Sequence, residues 1–136
     1  MINVRTLKNL KENDGLTLKK GKRITYKTGW QVATEGIETT DPYVAMKAIK
    51  AYGGDCGIWF SNGIYYIDKS HRESTKTKAM EIGRACKQIS ILKWANMSLA
   101  YCWIGRAVKN PPSFFYADVP LPLATALSGP PIYWWA

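Results

Sequence analysis

The run CGIWFSNGIYYID, residues 56–68, constrains the fold of this chain more than any other part of the sequence. The pair Asn62-Gly63 favours a two-residue type I′ turn, because both residue types adopt positive φ at low cost. The β-branched and aromatic residues on both sides of the pair are typical of strands. The run therefore predicts a β-hairpin, and with it an antiparallel sheet.

A helix is predicted on each side of this hairpin. Asp41-Pro42 combines an N-cap residue with proline at the first helical position, and Gly53-Gly54 is a typical helix end. After the hairpin, Ser74 or Thr75 can cap another helix, the third in chain order, whose apolar stripe runs from Ala79 to Cys86. The sequence thus predicts helix, hairpin and helix in succession.

A further helix and two further hairpins complete the predicted elements. Asn3 can cap a first helix with Val4, Leu7 and Leu10 on its apolar face, closed by residues 13–15. Turns at Lys20-Gly21 and Ala95-Asn96 are each flanked by strand-like segments. The alternating apolar positions around the first of these turns are Leu16, Leu18, Ile24, Tyr26, Trp30 and Val32.

A weak internal repeat supports this order of elements. When the sequence is aligned with itself at one fixed offset, five residues coincide with identical residues. A second step of the same length aligns the Asn96 turn with the Asn62 turn. The superposed pairs are Ile24 with Ile58, Gly29 with Gly63, Ala45 with Ala79, Met46 with Met80 and Ala51 with Ala85. Repeats on this scale usually mark a supersecondary unit that is used more than once. The predicted fold class is α+β: one antiparallel sheet of hairpins with about three helices packed on one face.

The composition changes near residue 104. Six of the seven prolines lie between Pro111 and Pro131, which excludes a long helix, while the aromatic residues around them are too apolar for a solvated linker. We predict an α+β domain over residues 1–104 and an irregular proline- and aromatic-rich tail over residues 105–136, packed on the domain. The alternative is that the tail is an apolar segment that binds a partner.

Positive charge is the strongest indication of a partner. Lysine and arginine outnumber aspartate and glutamate by 19 to 10, and the excess falls in residues 1–30 and 61–102. Such clustering favours a polyanion: DNA, RNA, a nucleoprotein or an acidic protein surface. The alternative is that these cations only solvate exposed strand edges. The predicted binding residues lie on the first hairpin and around the third helix: Lys19, Lys20, Lys22, Arg23, Lys27, Lys69, Arg72, Lys76, Arg84 and Lys87.

Aromatic side chains near these cations offer a second way to bind nucleic acid. Trp30, Trp59, Tyr65 and Tyr66 could stack on the bases of a single strand. Aromatic residues that alternate along strands are more often core residues, however. The sequence leaves both alternatives open.

The residues needed for hydrolytic catalysis are missing from the sequence. His71 is the only histidine and lies in the predicted loop KSHREST, where we expect solvent or phosphate contact rather than general-base catalysis. There is no serine elbow, phosphate-binding glycine loop or dinucleotide fingerprint. Cys56, His71, Cys86 and Cys102 are possible zinc ligands, but they lack the close pairs of structural zinc sites. We predict a non-enzymatic protein without metal or cofactor.

The chain has the features of a cytoplasmic protein. Its three cysteines are odd in number and lack a C-x-x-C spacing, which indicates reduced thiols. Residues 1–13 carry charges and lack the apolar core of a signal peptide. The longest uncharged run, residues 119–136, is broken by prolines, so we expect no membrane span.

The hairpin at residues 57–68 and the run AMEIGRACKQISILKW at residues 79–94 resemble small accessory proteins of Gram-positive phages and mobile elements. Those proteins pair a hairpin strand like YYID with a helix and a Gln-x-Ser-Ile strand. The similarity covers about residues 1–102 and excludes the tail. It implies a protein of the bacterial host cytoplasm, and no functional residues carry over.

Small basic phage proteins of this kind include inhibitors of host defence. The resemblance therefore implies an anti-CRISPR protein that binds a CRISPR effector nuclease or its guide-bound complex. The alternative is a basic accessory protein that binds DNA or RNA directly, through the first hairpin and the third helix.

Overall fold

A computed structural model describes residues 2–88, 90–102 and 119–120. Seven strands form an antiparallel sheet, and a further strand of two residues lies at one end of the strand order. The described residues also form three helices. The predicted α+β class with an antiparallel sheet and three helices is confirmed. The elements in chain order are α1 (Val4–Lys8), β1 (Gly15–Lys19), β2 (Lys22–Arg23), β3 (Trp30–Thr39), α2 (Pro42–Ala51), β4 (Cys56–Ser61), β5 (Ile64–Glu73), α3 (Lys76–Ala85), β6 (Ser90–Lys93), β7 (Ser98–Tyr101) and β8 (Val119–Pro120).

The strand order in the sheet is β2-β1-β4-β5-β3-β6-β7-β8. Both predicted two-residue turns are present, because Lys20 and Gly21 have φ of 51° and 78° and Asn62 and Gly63 have φ of 53° and 76°. Positive φ at both central positions matches the right-handed twist of the flanking strands. The third turn, at residues 94–97, joins β6 to β7.

Side-chain caps start all three helices. The Asn3 side chain accepts a hydrogen bond from the Thr6 N–H, and the Thr6 hydroxyl accepts one from the Asn3 N–H, which forms a capping box. Asp41 caps α2, and Thr75 rather than Ser74 caps α3. Helix α1 is shorter than predicted and ends at Lys8.

The internal repeat exists in the backbone. Helices α2 and α3 are equally long, as are strands β3 and β5, and the offset between the helices equals the offset between these strands. It is the same offset that carries Ile24 onto Ile58 in the sequence. Strands β6 and β7 begin at this offset after β4 and β5. A ten-residue strand followed by a ten-residue helix is therefore used twice, and a shorter pair of strands follows at the same offset.

The described chain forms two compact units. The first contains residues 2–25 and 35–71, and the second contains residues 26–34 and the described residues from 72 onward. The long strands β3 and β5 therefore contribute residues to both units. The predicted domain boundary at residue 104 and the predicted packing of the tail lie outside the described residues, apart from the pairing of β8 with β7.

The core of the first unit lies where α1 and α2 pack against the strands. Leu7 and Ile49 from the helices meet Leu18 and Ile67 from the sheet, all at most 2% exposed. The Tyr65 hydroxyl, also buried, donates a hydrogen bond to the Leu7 carbonyl oxygen at 3.1 Å. This bond satisfies a carbonyl group in the last turn of a short helix.

The core of the second unit lies under α3. Val32, Ile91 and Cys102 pack there against Ala79. Burial raises the pKa of the Cys102 thiol to about 12, so the thiol stays neutral. Among the described residues, none of the helices is long and apolar enough to cross a bilayer.

Gly83 allows α3 to approach its strands closely. A Cβ atom at this position would lie 2.7 Å from the Cys102 Sγ and 3.3 Å from the Ile91 Cγ2. We expect Gly83→Ala to lower the free energy of unfolding by about 1–2 kcal/mol, because overpacking outweighs the gain in helix propensity. Urea denaturation of the purified protein measures this change.

A double-mutant cycle with Cys102→Ala tests the cause. Removing the sulfur makes room for the new methyl group, so the effect of Gly83→Ala should shrink or change sign in the Cys102→Ala background. Strictly additive effects of the two substitutions would contradict the contact.

Candidate nucleic-acid interface

Trp30 is the centre of a cationic and aromatic surface in the second unit. It is half-buried at the start of β3 and pairs across the strands with Lys93 of β6. The Lys93 Nζ lies 5.6 Å from the centre of the Trp30 ring, and the Nζ of Lys76, the first residue of α3, lies 5.4 Å from it. An ammonium group at such a distance is attracted by the negative face of an indole ring. Two cations therefore converge on one aromatic side chain, and we call these three residues the Trp30 platform.

The segment that leads into Trp30 is fixed by Arg72. The Arg72 Nε donates to the Thr28 carbonyl oxygen at 2.8 Å, and its Nη2 donates to the Thr28 Oγ1 at 2.9 Å. The Arg72 guanidinium carbon also lies 5.4 Å from the centre of the Tyr26 ring. Gly29 has φ of +86°, and a Cβ atom there would lie 2.6 Å from the Arg72 Nε. Only glycine fits this backbone position without displacing the guanidinium.

Trp94, the residue that follows β6, supports the same segment. Its N–H donates to the Gly29 carbonyl oxygen at 3.0 Å, and its indole N–H donates to the Gln31 Oε1 at 3.2 Å. The rings of Trp94 and Tyr26 meet edge to face, with centres 5.5 Å apart. The prediction of a strand through Ile24 and Tyr26 is therefore wrong. The Arg72 side chain and the Trp94 backbone N–H instead bind Thr28 and Gly29 and hold this segment outside the sheet ladder.

The structure distributes the predicted binding residues over both units. Lys19, Lys20, Lys22, Arg23 and Lys69 lie exposed in the first unit. The second unit contains the remaining predicted residues: Lys27, Arg72, Lys76, Arg84 and Lys87.

Arg72 and Arg84 make hydrogen bonds that fix the structure of the second unit. Arg72 holds Thr28, and the Arg84 Nε donates to the Cys102 carbonyl oxygen at 2.8 Å. Lys87, expected on one helix face with Lys76, lies beyond the end of α3 at a φ of 59°. Lys76 is therefore the predicted residue that belongs to the Trp30 platform.

Sequence reasoning missed Lys93. Its position in the apolar run ISILKW gave no reason to select it, and its proximity to Trp30 depends on a strand pairing between distant parts of the chain. The alternation Ile91, Lys93 in the strand would have placed Lys93 on a definite face, but it does not say which strand lies alongside.

Burial separates the four aromatic candidates for base stacking. Trp59 and Tyr65 are 9% and 6% exposed, so they are core residues of the first unit. Tyr66 is partly exposed, and Trp30 has the ammonium groups of two lysines over its ring. The stacking alternative therefore remains open at Trp30.

Asp68 is a buried carboxyl group in β5 and is therefore a candidate for acid–base chemistry. Burial raises its pKa from 3.8 to about 6, and hydrogen bonds from the Ser70 side chain and the Gly57 N–H oppose the rise. The Gly57 nitrogen lies 3.0 Å from the Asp68 Oδ1. Burial, and to a smaller extent the charge of Asp68, raises the pKa of the Cys56 thiol to about 12. A neutral thiol beside a buried carboxyl group is a poor nucleophile.

His71 lies in β5 rather than in a loop, so the loop prediction is wrong for this residue. Strand β5 continues to Glu73, and His71 is partly buried within it. In the part of the chain that the structure describes, no three His, Cys, Asp or Glu side chains come close enough to hold a metal ion.

Comparison with protein-family models, with curated protein sequences and with solved structures gives no match to this chain. The functional interpretation therefore depends on the side chains described above.

Substitution of Arg72 tests whether its guanidinium holds the loop before Trp30. We expect Arg72→Lys to lower the free energy of unfolding by about 1 kcal/mol, because an ammonium group cannot make both Thr28 bonds in one fixed geometry. Amide hydrogen exchange at Trp94 should also accelerate, because its acceptor is the Gly29 carbonyl. Unchanged exchange at Trp94 would show that Arg72 does not order the loop.

The raised pKa of Asp68 makes stability depend on pH. The folded state holds the proton more tightly than the unfolded state, so this residue favours folding most below about pH 4. Its contribution falls as the pH rises through about 6, by about 3 kcal/mol in total. Asp68→Asn should therefore be more stable than the wild type at pH 7, with a smaller difference at pH 4. Urea denaturation at both pH values measures this, and an equal difference at both would contradict the assignment.

Proposed function

We propose that this protein binds single-stranded DNA or RNA through the Trp30 platform and catalyses no reaction. The convergence of Lys76 and Lys93 on one half-buried indole ring is the observation that carries the proposal. The net charge of +9 favours any polyanionic partner and gives no preference among them. The Trp30 platform favours nucleic acid among these polyanions, because it combines cations for the phosphates with an aromatic ring for the bases.

The two kinds of side chain have different tasks in this proposal. The ammonium groups of Lys76 and Lys93 contact phosphates of the backbone. When the ammonium groups move from the ring to the phosphates, the Trp30 ring stacks on a base, which contributes about 1–3 kcal/mol per base in proteins that bind single strands. Lys27 and Thr28 are exposed in the loop just before the ring and offer further polar contacts to the strand.

The indole ring favours a single strand over a duplex. The bases of a duplex are stacked on each other, so a side chain can reach a base face only at an end or a distortion. The platform contains no feature that reads a base edge, and we expect little sequence preference. Affinity should then depend strongly on salt, through release of counterions from the phosphates.

Neutralising the two lysines provides the first test. We expect Lys76→Gln with Lys93→Gln to weaken binding of a fluorescein-labelled dT15 strand and to reduce the slope of log Kd against log salt by about 1.4, for two lost phosphate contacts. Fluorescence anisotropy at several salt concentrations gives the slope. Lys47→Gln with Lys50→Gln is the matched control, because both lysines are exposed on α2 and outside the platform.

Comparison of the two double variants distinguishes binding at the Trp30 platform from attraction by the net charge of the protein. Equal losses of affinity and slope in both double variants would attribute binding to net charge and would overturn the proposal. A thermal melt of each variant shows that it folds, so that lost binding is not caused by unfolding.

Inhibition of a CRISPR effector nuclease remains the alternative implied by the resemblance, which covers about residues 1–102. The same variants distinguish it. If tagged protein captures an effector from a nuclease-treated lysate, and the lysine variant captures it equally well, a protein target is favoured over nucleic acid. Capture that requires intact nucleic acid supports the proposal made here.

A further inference from the structure

A cavity of about 530 Å³ lies in the first unit, between α1 and the hairpin formed by β1 and β2. Helix α1 and its caps supply Asn3, Arg5 and Asn9 to its wall, and the following strands supply Leu16 and Arg23. The volume is in the range of small-molecule sites, which is about 300–1,000 Å³. The cavity shares no residue with the Trp30 platform.

Two arginine side chains define the chemistry of this cavity. Arg5 and Arg23 are both exposed, and neither guanidinium has an ion-pair or hydrogen-bond partner in the part of the chain that the structure describes. A guanidinium group presents parallel N–H donors that match the oxygens of phosphate, and it is always charged. Two of them on one cavity wall favour an anion with several oxygens.

Asp14, which also lines the cavity, is the group that opposes an anion. Its Oδ2 accepts a hydrogen bond from the Lys11 N–H at 2.9 Å, so the carboxylate is bound to its own loop. Two positive charges against one negative charge leave the wall net positive. The side-chain amide of Asn9 adds a neutral donor.

The apolar part of the wall indicates that the ligand is larger than a bare anion. Leu10 and Leu16 both line the cavity, and both are partly buried hydrophobic residues packed against the core of the first unit. An exposed apolar wall beside charged donors suits a ligand with a flat organic portion and a phosphate. A mononucleotide has both features.

We propose that this cavity binds one phosphate-bearing ligand of nucleotide size, with the phosphate on Arg5 and Arg23 and the organic portion against Leu10 and Leu16. The ligand is a free nucleotide or the phosphorylated end of a strand, which present the same chemistry. This site is independent of the proposed binding of single strands by the Trp30 platform.

Isothermal titration calorimetry with two probes, AMP and a 5′-phosphorylated dT trimer, tests the site. We expect Arg5→Gln with Arg23→Gln to weaken binding at least about tenfold, because both charge-assisted contacts are lost. The control is Lys47→Gln with Lys50→Gln, which removes the same charge from the same unit without touching the cavity. Circular dichroism melts confirm that the variants fold.

The two probes distinguish the two ligand sources. Binding of AMP that the arginine variant loses and the control keeps supports a free nucleotide. Binding of the trimer alone, with the same dependence on the arginines, supports a strand end. If neither probe binds the wild type, or if both double variants lose binding equally, the cavity is not a phosphate site.

The platform variant separates this inference from the proposed function. Lys76→Gln with Lys93→Gln should leave the arginine-dependent binding unchanged and should weaken only the longer dT15 strand. Failure of the cavity site with intact binding of dT15 would refute this inference and leave the platform in place. The reverse result would refute the platform alone.

Discussion

The pairing of β4 with β5 is the constraint on which the first unit depends. The tight turn at Asn62-Gly63 fixes six consecutive residue pairs, from Ser61 with Ile64 to Cys56 with Lys69. Because side chains alternate between faces, a slip by one residue would move Ile58 and Ile67 from the core to the opposite face. Strand β1 pairs with the other edge of β4, so its register depends on the same turn.

The internal repeat keeps the backbone positions of the elements and changes the side chains between them. Ile49 fills the space under α2, whereas its counterpart Gly83 lets α3 approach the Cys102 sulfur. Cys102 in turn corresponds to Asp68, and both are buried groups whose environment favours the neutral form. In each unit a glycine makes room for that group: Gly57 for Asp68 and Gly83 for Cys102. The repeated backbone can therefore bury a carboxyl group in one copy and a thiol in the other, because a glycine faces each of them.

Six cationic side chains of the described residues illustrate three different environments. Arg72 and Arg84 make hydrogen bonds to backbone carbonyls and contribute to structure. Lys76 and Lys93 lie over an aromatic ring, and Arg5 and Arg23 line a cavity. The formal charge is the same in all three, so the excess of basic residues alone does not identify a binding site. The position of each cation relative to apolar and aromatic groups does.

Elements that depend on local chemistry are predictable from the sequence: the turns at Lys20-Gly21 and Asn62-Gly63, the start of α2 at Asp41-Pro42, and the period of the repeat. These follow from backbone preferences and capping, which act over a few residues. The tertiary structure decided which side chains meet. Residues 26–29 carry a strand pattern but are held as a loop by Arg72 and Trp94, and Lys93 reaches Trp30 only because β3 and β6 are paired. Contacts between residues so far apart in the chain depend on strand order, and local preferences do not encode it.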